Sequence, residues 1–325
     1  MMTPKERAVT ALTLGIPDEV PTFELEFQLE KEMFGRPFLP ECLTPPAIYR
    51  LSRAEWERAV DECVAYTVEV YEALDYCIVP GYGPLSGDFL ATGRVPAPLA
   101  RYLRRLSHSL GGRRMIGFHG DGTFAIPDGN EMYRFAYALS DDPQGVHDQA
   151  ETLCEVAIAR NHVLQGLGVE VLLLCSDYCY NSGPFLSPAM FRTFIAPYLA
   201  RIIDDARARG LYTIKHTDGN IMPILEDLVA CRPHALHSLD PMAGVDIREV
   251  KARVGRSVCL CGNVHCAALQ TGTEEDVVRS AIYCLTHGKP GGGYIFCTSN
   301  IPFQGMDPQR YKLILEVWKQ YRVYT

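Results

Sequence analysis

Eight short apolar runs, each followed by a stretch of helical period, constrain the fold of this chain more than any other feature. The runs are 20–26, 76–80, 115–118, 170–175, 211–215, 235–239, 257–261 and 293–297. Residues 46–74, 97–110, 131–165 with a break at Asp141-Asp142-Pro143, 187–209, 221–230, 246–254, 273–287 and 307–321 carry the helical pattern between and after them. Eight such units in 325 residues predict an α/β chain folded as a (β/α)8 TIM barrel, one domain over 1–325 with an N-terminal helical extension. An open doubly wound sheet is the alternative, but no Gly-x-Gly-x-x-Gly follows any of the runs.

The start of the chain reads as a helix rather than an export signal. Thr3 is placed to cap, Pro4 suits the first helical position, and Glu6 closes a capping box. The longest apolar run, 169–175, is strand-length and far short of the roughly 18 residues a membrane span requires. A cytoplasmic protein without a membrane partner is therefore expected. The 12 cysteines are scattered through a large chain, which suggests reduced, mostly buried thiols. A net charge of −8 with no basic block argues against a nucleic-acid partner.

In a barrel of this kind the chemistry sits at the C-terminal ends of the strands, where polar groups distant in sequence converge. Those ends offer Glu24 and Glu26, Tyr82, His119 and Asp121, Ser176 with Asp177 and Tyr178, His216 and Asp218, His237 and Asp240, Cys261 and Asn263, and Cys297 to Asn300. The glutamates alternate with Phe23, Leu25 and Phe27, so on a strand both face one way, inward, where buried carboxylates need partners or a metal. Of these ends, Glu26, Tyr82, His119, Tyr178, Asn263 and Asn300 are expected to line a substrate pocket. The element His216-Thr217-Asp218-Gly219-Asn220 also has a plain reading, in which Asp218 turns the chain and caps the next helix. Cys297 by itself reads as a buried strand cysteine.

The segments TPKERAVTALTLGIPDEVPTFE, GPFLSPAMFRTFIAPYLARII, HTDGN, LHSLDPMAGVDIREVKARVG, GNVHCAALQTGTEEDV and GGGYIF together resemble the uroporphyrinogen decarboxylase superfamily over nearly the whole chain. The resemblance implies a (β/α)8 barrel and one of two chemistries: cofactor-free decarboxylation of uroporphyrinogen, or zinc-dependent methyl transfer involving a cobalamin-bearing corrinoid protein. Decarboxylases carry an arginine-bearing segment of the type MRQAGR for their carboxylate-rich substrate. This chain has PTFELEFQLEKEMFG there, with Glu24, Glu26 and Glu30 and no arginine before Arg36. It also has FCTSNIPF where decarboxylases have a Gly-His-Gly element.

The methyltransferase branch resembles it elsewhere, with a His-x-Cys pair and a later cysteine that hold zinc. His216 and Cys297 match, while Asp218 stands at the first cysteine. The resemblance thus implies zinc held by His216, Asp218 and Cys297, with its affinity falling as the imidazole protonates between roughly pH 6 and 5. It also implies Glu24, Asp177 and Asp218 as acid/base groups or auxiliary ligands, a small methyl donor such as an ether or methylamine, and a corrinoid protein as partner. The alternatives are a decarboxylase or lyase of uroporphyrinogen or a smaller carboxylated substrate, and a non-enzymatic small-molecule-binding barrel.

Overall fold

A computed structural model describes residues 1–324. The strands are β1 (Ile78–Pro80), β2 (Met115–His119), β3 (Val171–Leu174), a hairpin of β4 (Cys179–Tyr180) and β5 (Gly183–Pro184), β6 (Tyr212–His216), β7 (Ala235–His237), β8 (Cys259–Cys261) and β9 (Tyr294–Ile295). Seven of them form one curled parallel sheet in the order β1-β2-β3-β6-β7-β8-β9, with helices in the crossovers. Helical cover buries both faces of these strands, which is why their sequences read as apolar runs rather than alternations.

The run 20–26 does not form a regular strand. Thr22 alone makes parallel bridges, to Tyr76 just before β1 and to Phe296 just after β9. Its carbonyl accepts from Cys77 N at 2.8 Å, and Phe296 N donates to Pro21 O at 2.9 Å. Beyond Thr22 the ladder does not continue, because Thr298 N donates to the Glu24 carboxylate rather than to a backbone carbonyl of this run. The helix Pro4–Leu12 has the expected capping box between Thr3 and Glu6. The long helical stretch breaks where expected, into Gly129–Asp141 and Pro143–Gly166, with Asp142 accepting from Gly145 N at 3.0 Å. Among the described residues no helix is long and apolar enough to cross a membrane.

The central sheet carries a buried ion pair that the sequence reading missed. Lys215 of β6 is 1% exposed, yet its Nζ lies 2.9 Å from Asp121 Oδ2, donates to Ser176 O at 2.8 Å, and sits 3.9 Å from the centre of the Tyr178 ring. Asp121 also accepts from Ser176 N, Gly122 N, and the Thr123 N–H and hydroxyl, at 2.8–3.0 Å. Burial alone would raise the Asp121 carboxyl, but the Lys215 charge and these donors bring it down to about 2. The pair ties together the C-terminal ends of β2, β3 and β6.

Removing one partner of such a pair leaves the other charge buried. Asp121→Ala should therefore cost about 3–5 kcal/mol in urea denaturation, and more than Lys215→Met, which leaves the Asp121 carboxylate its neutral donors.

Candidate active site

β6 ends at His216, and the chain then passes closely over the β4–β5 hairpin. Gly219 has φ of 81°, and a Cβ there would stand 2.4 Å from Cys179 O, so glycine is required at this crossing. Tyr178 N donates to Thr217 Oγ1 at 2.8 Å and Asn220 N to Tyr180 O at 2.9 Å, which fastens the loop to the hairpin. The turn is closed by Asn220, whose Oδ1 accepts from Met222 N at 3.1 Å. Asp218 is therefore free of the capping role that the plain reading assigned to it.

Asp218 faces inward instead. It accepts from the Ser238 hydroxyl at 2.8 Å and from Asn300 Nδ2 at 2.5 Å, while its own N–H donates to Asp177 Oδ1 at 3.0 Å. His216 Nε2 lies 3.7 Å from an oxygen of each carboxylate, and the three donor atoms of Asp177, His216 and Asp218 all fall within 4.8 Å of one another. Burial pushes the Asp218 carboxyl up to about 6, with the charges of Asp177 and Asp240 adding to the rise and the Ser238 hydrogen bond opposing it. Burial lowers His216 to about 4. Its imidazole is neutral at pH 7.

The other nitrogen of His216 has a defined partner. Its Nδ1 lies 2.9 Å from Nδ1 of His237, a fully buried residue on β7. Burial, and then the charge of His216, also holds His237 well below the usual histidine range. Two neutral rings facing Nδ1 to Nδ1 must share one proton between them. When His216 donates it, Nε2 presents a lone pair to the carboxylates, and His237 carries its proton on Nε2, a buried atom without a hydrogen-bond partner.

This donor set suits a divalent cation. Tetrahedral zinc with nitrogen and oxygen ligands at about 2.0–2.2 Å places its donors about 3.3–3.6 Å apart. The 3.7 Å separations from His216 Nε2 are near that range. A cation there would also relieve the close approach of two carboxylates.

A second group flanks the cluster. His119, the last residue of β2, has Nε2 3.6 Å from Glu26 Oε1 and stacks on Tyr82 at 4.7 Å between ring centres. The close approach of His119, and next the Gln28 amide at 3.1 Å, hold the Glu26 carboxyl below its ordinary value. His119 ends β2, and Asp177 follows β3, its neighbour in the sheet, so both groups lie at the C-terminal ends of adjacent strands.

The family model for uroporphyrinogen decarboxylase (URO-D) matches residues 125–321. The chain belongs to this family. Two curated relatives are uroporphyrinogen decarboxylases: one from Thioalkalivibrio sulfidiphilus (strain HL-EbGR7), 27% identical over 232 residues, and one from Xylella fastidiosa (strain Temecula1 / ATCC 700964), 26% identical over 223. These matches cover 66% and 62% of this chain, and 62% and 59% of the relatives, so the chain spans less than two thirds of their length. Among solved structures, a methyltransferase from Methanosarcina mazei superposes with a TM-score of 0.72 at 17% identity, covering 99% of both chains. That likeness shows a common fold.

Within the region matched by the URO-D family, the structure brings Asp177, His216, Asp218 and Asn300 together. Glu26, Tyr82 and His119, which lie before residue 125, form the flanking group. Four expected site residues serve other purposes. Glu24 is fully buried: its carboxyl accepts from Thr298 N at 3.1 Å, Thr298 Oγ1 at 2.5 Å and Tyr311 OH at 3.3 Å, and burial pushes it to about 8. Tyr178 is fully buried, with its hydroxyl on Thr123 at 2.5 Å and its ring under Lys215. Asn263 donates to Leu239 O at 2.6 Å and accepts from the Cys284 thiol at 3.3 Å, which commits both ends of its amide to the fold.

Cys297 lies outside the donor cluster. Its neighbours Phe296 and Thr298 are bridged to Thr22 and Val264, so it is held within the bonded stretch, whereas His216 ends its strand. Burial, and next the Glu24 charge, raises its thiol well above the ordinary range. The place expected for Cys297 in the cluster is taken by Asp177. His237 was the functional neighbour that sequence reasoning left unused, although its register opposite His216 in β6–β7 pairing puts both rings on one side.

Because the folded-state pKa of Asp218 is raised, its ionised form costs stability above about pH 6, and that cost disappears as pH falls below the unfolded value near 4. Metal-free Asp218→Asn should melt higher than the parent at pH 7.5, by about 2–4 °C for each kcal/mol relieved, and the gain should vanish toward pH 4. Thermal scans at both pH values check this. A turn residue would give no pH-dependent difference.

Proposed function

We propose that this chain is a zinc-dependent methyltransferase that moves a methyl group between a small-molecule substrate and the cobalamin of a corrinoid protein partner. The observation that carries the reading is the inward-facing cluster of Asp177, His216 and Asp218, with Nε2 of His216 aimed at both carboxylates. The acidic flank supports it, because Glu26 and Glu30 line the neighbouring cavity and residues 20–35 contain no arginine. A substrate with many carboxylates requires cationic, bidentate partners, and it would meet repulsion here. The name of the superposed Methanosarcina mazei protein, a methyltransferase, points the same way. The site would stand at the C-terminal mouth of a full (β/α)8 ring closed through the bridges of Thr22.

In this reading Asp177, His216 and Asp218 hold the metal, which when bound supplies Lewis-acid polarisation of the atom bearing the methyl group. Oxygen donors in place of thiolates leave the ion more electron-poor, which suits a neutral oxygen or nitrogen substrate atom. His237 keeps the His216 proton on Nδ1, and Asn300 with Ser238 fixes the orientation of the Asp218 carboxylate. Asp240 accepts from Gly219 N at 3.3 Å and steadies the loop.

The test is zinc content by mass spectrometry alongside methyl transfer to a corrinoid acceptor. Wild type should bind one zinc, His216→Ala and Asp177→Ala should lose it, and Cys297→Ser should retain it. Apparent zinc affinity should fall as pH drops through about 6, because a proton on Asp218 competes with the metal, and His216 protonates only near 4. Zinc lost in Cys297→Ser but kept in Asp177→Ala would overturn the ligand set. The names of the curated relatives favour a second reading, decarboxylation. Coproporphyrinogen formed from uroporphyrinogen by the pure protein would establish it.

A further inference from the structure

A cavity of about 270 Å3 lies beside the candidate active site, between the segment 26–39, the helices Arg53–Ala73 and Ala97–Leu110, and the chain leaving β1. Its size is just below the range of roughly 300–1,000 Å3 found for drug-sized ligands, which suits a small molecule. Five aromatic rings wall it: Phe27, Phe38, Tyr71, Tyr82 and Tyr102. Phe38 stacks on Tyr71 at 5.1 Å, and Phe27 meets Phe38 at 6.5 Å with the planes 66° apart, so the rings meet at an angle rather than forming a flat slot.

Two carboxylates, Glu26 and Glu30, and the Gln28 amide add to the wall, and among the described residues no lysine, arginine or histidine lines it. His119 meets Glu26 from outside the cavity, and the guanidinium of Arg36, in the segment 26–39, lies over the Tyr66 ring at 4.0 Å. Several polar groups here have unused hydrogen-bonding capacity. Tyr71 is 3% exposed, and its hydroxyl has no partner among the described residues. Tyr82 Oη and Glu30 Oε2 are likewise buried without partners. The other oxygen of Glu30 takes only a long hydrogen bond, 3.4 Å from Phe38 N.

This combination selects by charge and by surface. An anion would meet two carboxylates with no counter-charge in the wall. A neutral apolar molecule would leave Glu30 Oε2 buried without a partner, whereas Glu26 already accepts from Gln28 Nε2 at 3.1 Å, and a small hydrated metal ion would gain nothing from five rings. A methylated ammonium has a diffuse positive charge, an apolar surface that ring faces attract, and a size matched to the space.

We propose that this cavity binds the N-methylated ammonium end of the substrate. The proposal rests on the reading that this mouth is the substrate site, and it adds the charge class of the molecule that enters. Glu26 and Tyr82 would link the cavity to the metal cluster, since both also contact His119, which ends β2 beside β3, the strand that leads to Asp177.

The experiment is isothermal titration of the full chain, with and without zinc, using choline and its uncharged isostere 3,3-dimethylbutan-1-ol. Choline should bind in both states, and the isostere should bind at least about tenfold more weakly, the ratio expected of a desolvated cation–π site. Glu30→Gln and Tyr71→Leu should each weaken choline by roughly tenfold while zinc stoichiometry stays unchanged, with melting curves confirming that both variants fold. Equal binding of choline and isostere, absence of choline binding, or choline binding indifferent to both substitutions would overturn the proposal. Choline binding with no zinc uptake would leave the cavity assignment standing and remove the metal-dependent reading instead.

Discussion

The ion pair between Lys215 and Asp121 is the interaction on which the site depends. A lysine that is 1% exposed at the centre of a parallel sheet would be untenable without a charged partner, and the Asp121 carboxylate is supported by four further donors from two loops. The pair acts on its neighbours in sequence. Lys215 precedes His216, and Ser176, bonded to both Lys215 and Asp121, precedes Asp177. One buried electrostatic contact therefore sets the position of two of the three donors in the candidate metal cluster. The third, Asp218, is held by its own N–H on Asp177.

Beyond that scaffold the site is built from groups in unfavourable states. Asp218 is a carboxylate that burial drives towards protonation, His216 and His237 are histidines that burial keeps neutral, and His237 Nε2 has no partner. Such a set is poor for the stability of the metal-free chain and well suited to a bound cation, which would satisfy the carboxylates and use the free lone pair of His216. The Nδ1 contact with His237 orients the His216 ring without a conventional carboxylate behind the ligand.

Much of the fold was legible because buried parallel strands must be apolar and short. Seven of the eight runs proved to be strands of the main sheet, within a few residues at their ends. The run 20–26 misled because alternation at Glu24 and Glu26 resembles a strand, while the backbone donor of Thr298 is taken by the Glu24 side chain instead of by the main chain of the run. Glu24 is fastened to Thr298 and Tyr311, whereas Glu26 faces His119. In the site, His216 and Asp218 could be found from their place at a strand end. The exclusion of Cys297 could not, because bridges at Phe296 and Thr298 extend pairing past β9. Lys215 escaped notice because a charge inside an apolar run is recognisable as paired only when its partner, 94 residues away, is seen beside it.

The central claim is that Asp177, His216 and Asp218 form one metal site. The most direct measurement is a crystal structure of the zinc-loaded protein with diffraction data collected on both sides of the zinc absorption edge. The account predicts a single anomalous peak about 2 Å from His216 Nε2 and from an oxygen of each aspartate. A peak coordinated by the Cys297 thiolate, or no peak in the cluster at full zinc occupancy in solution, would contradict it.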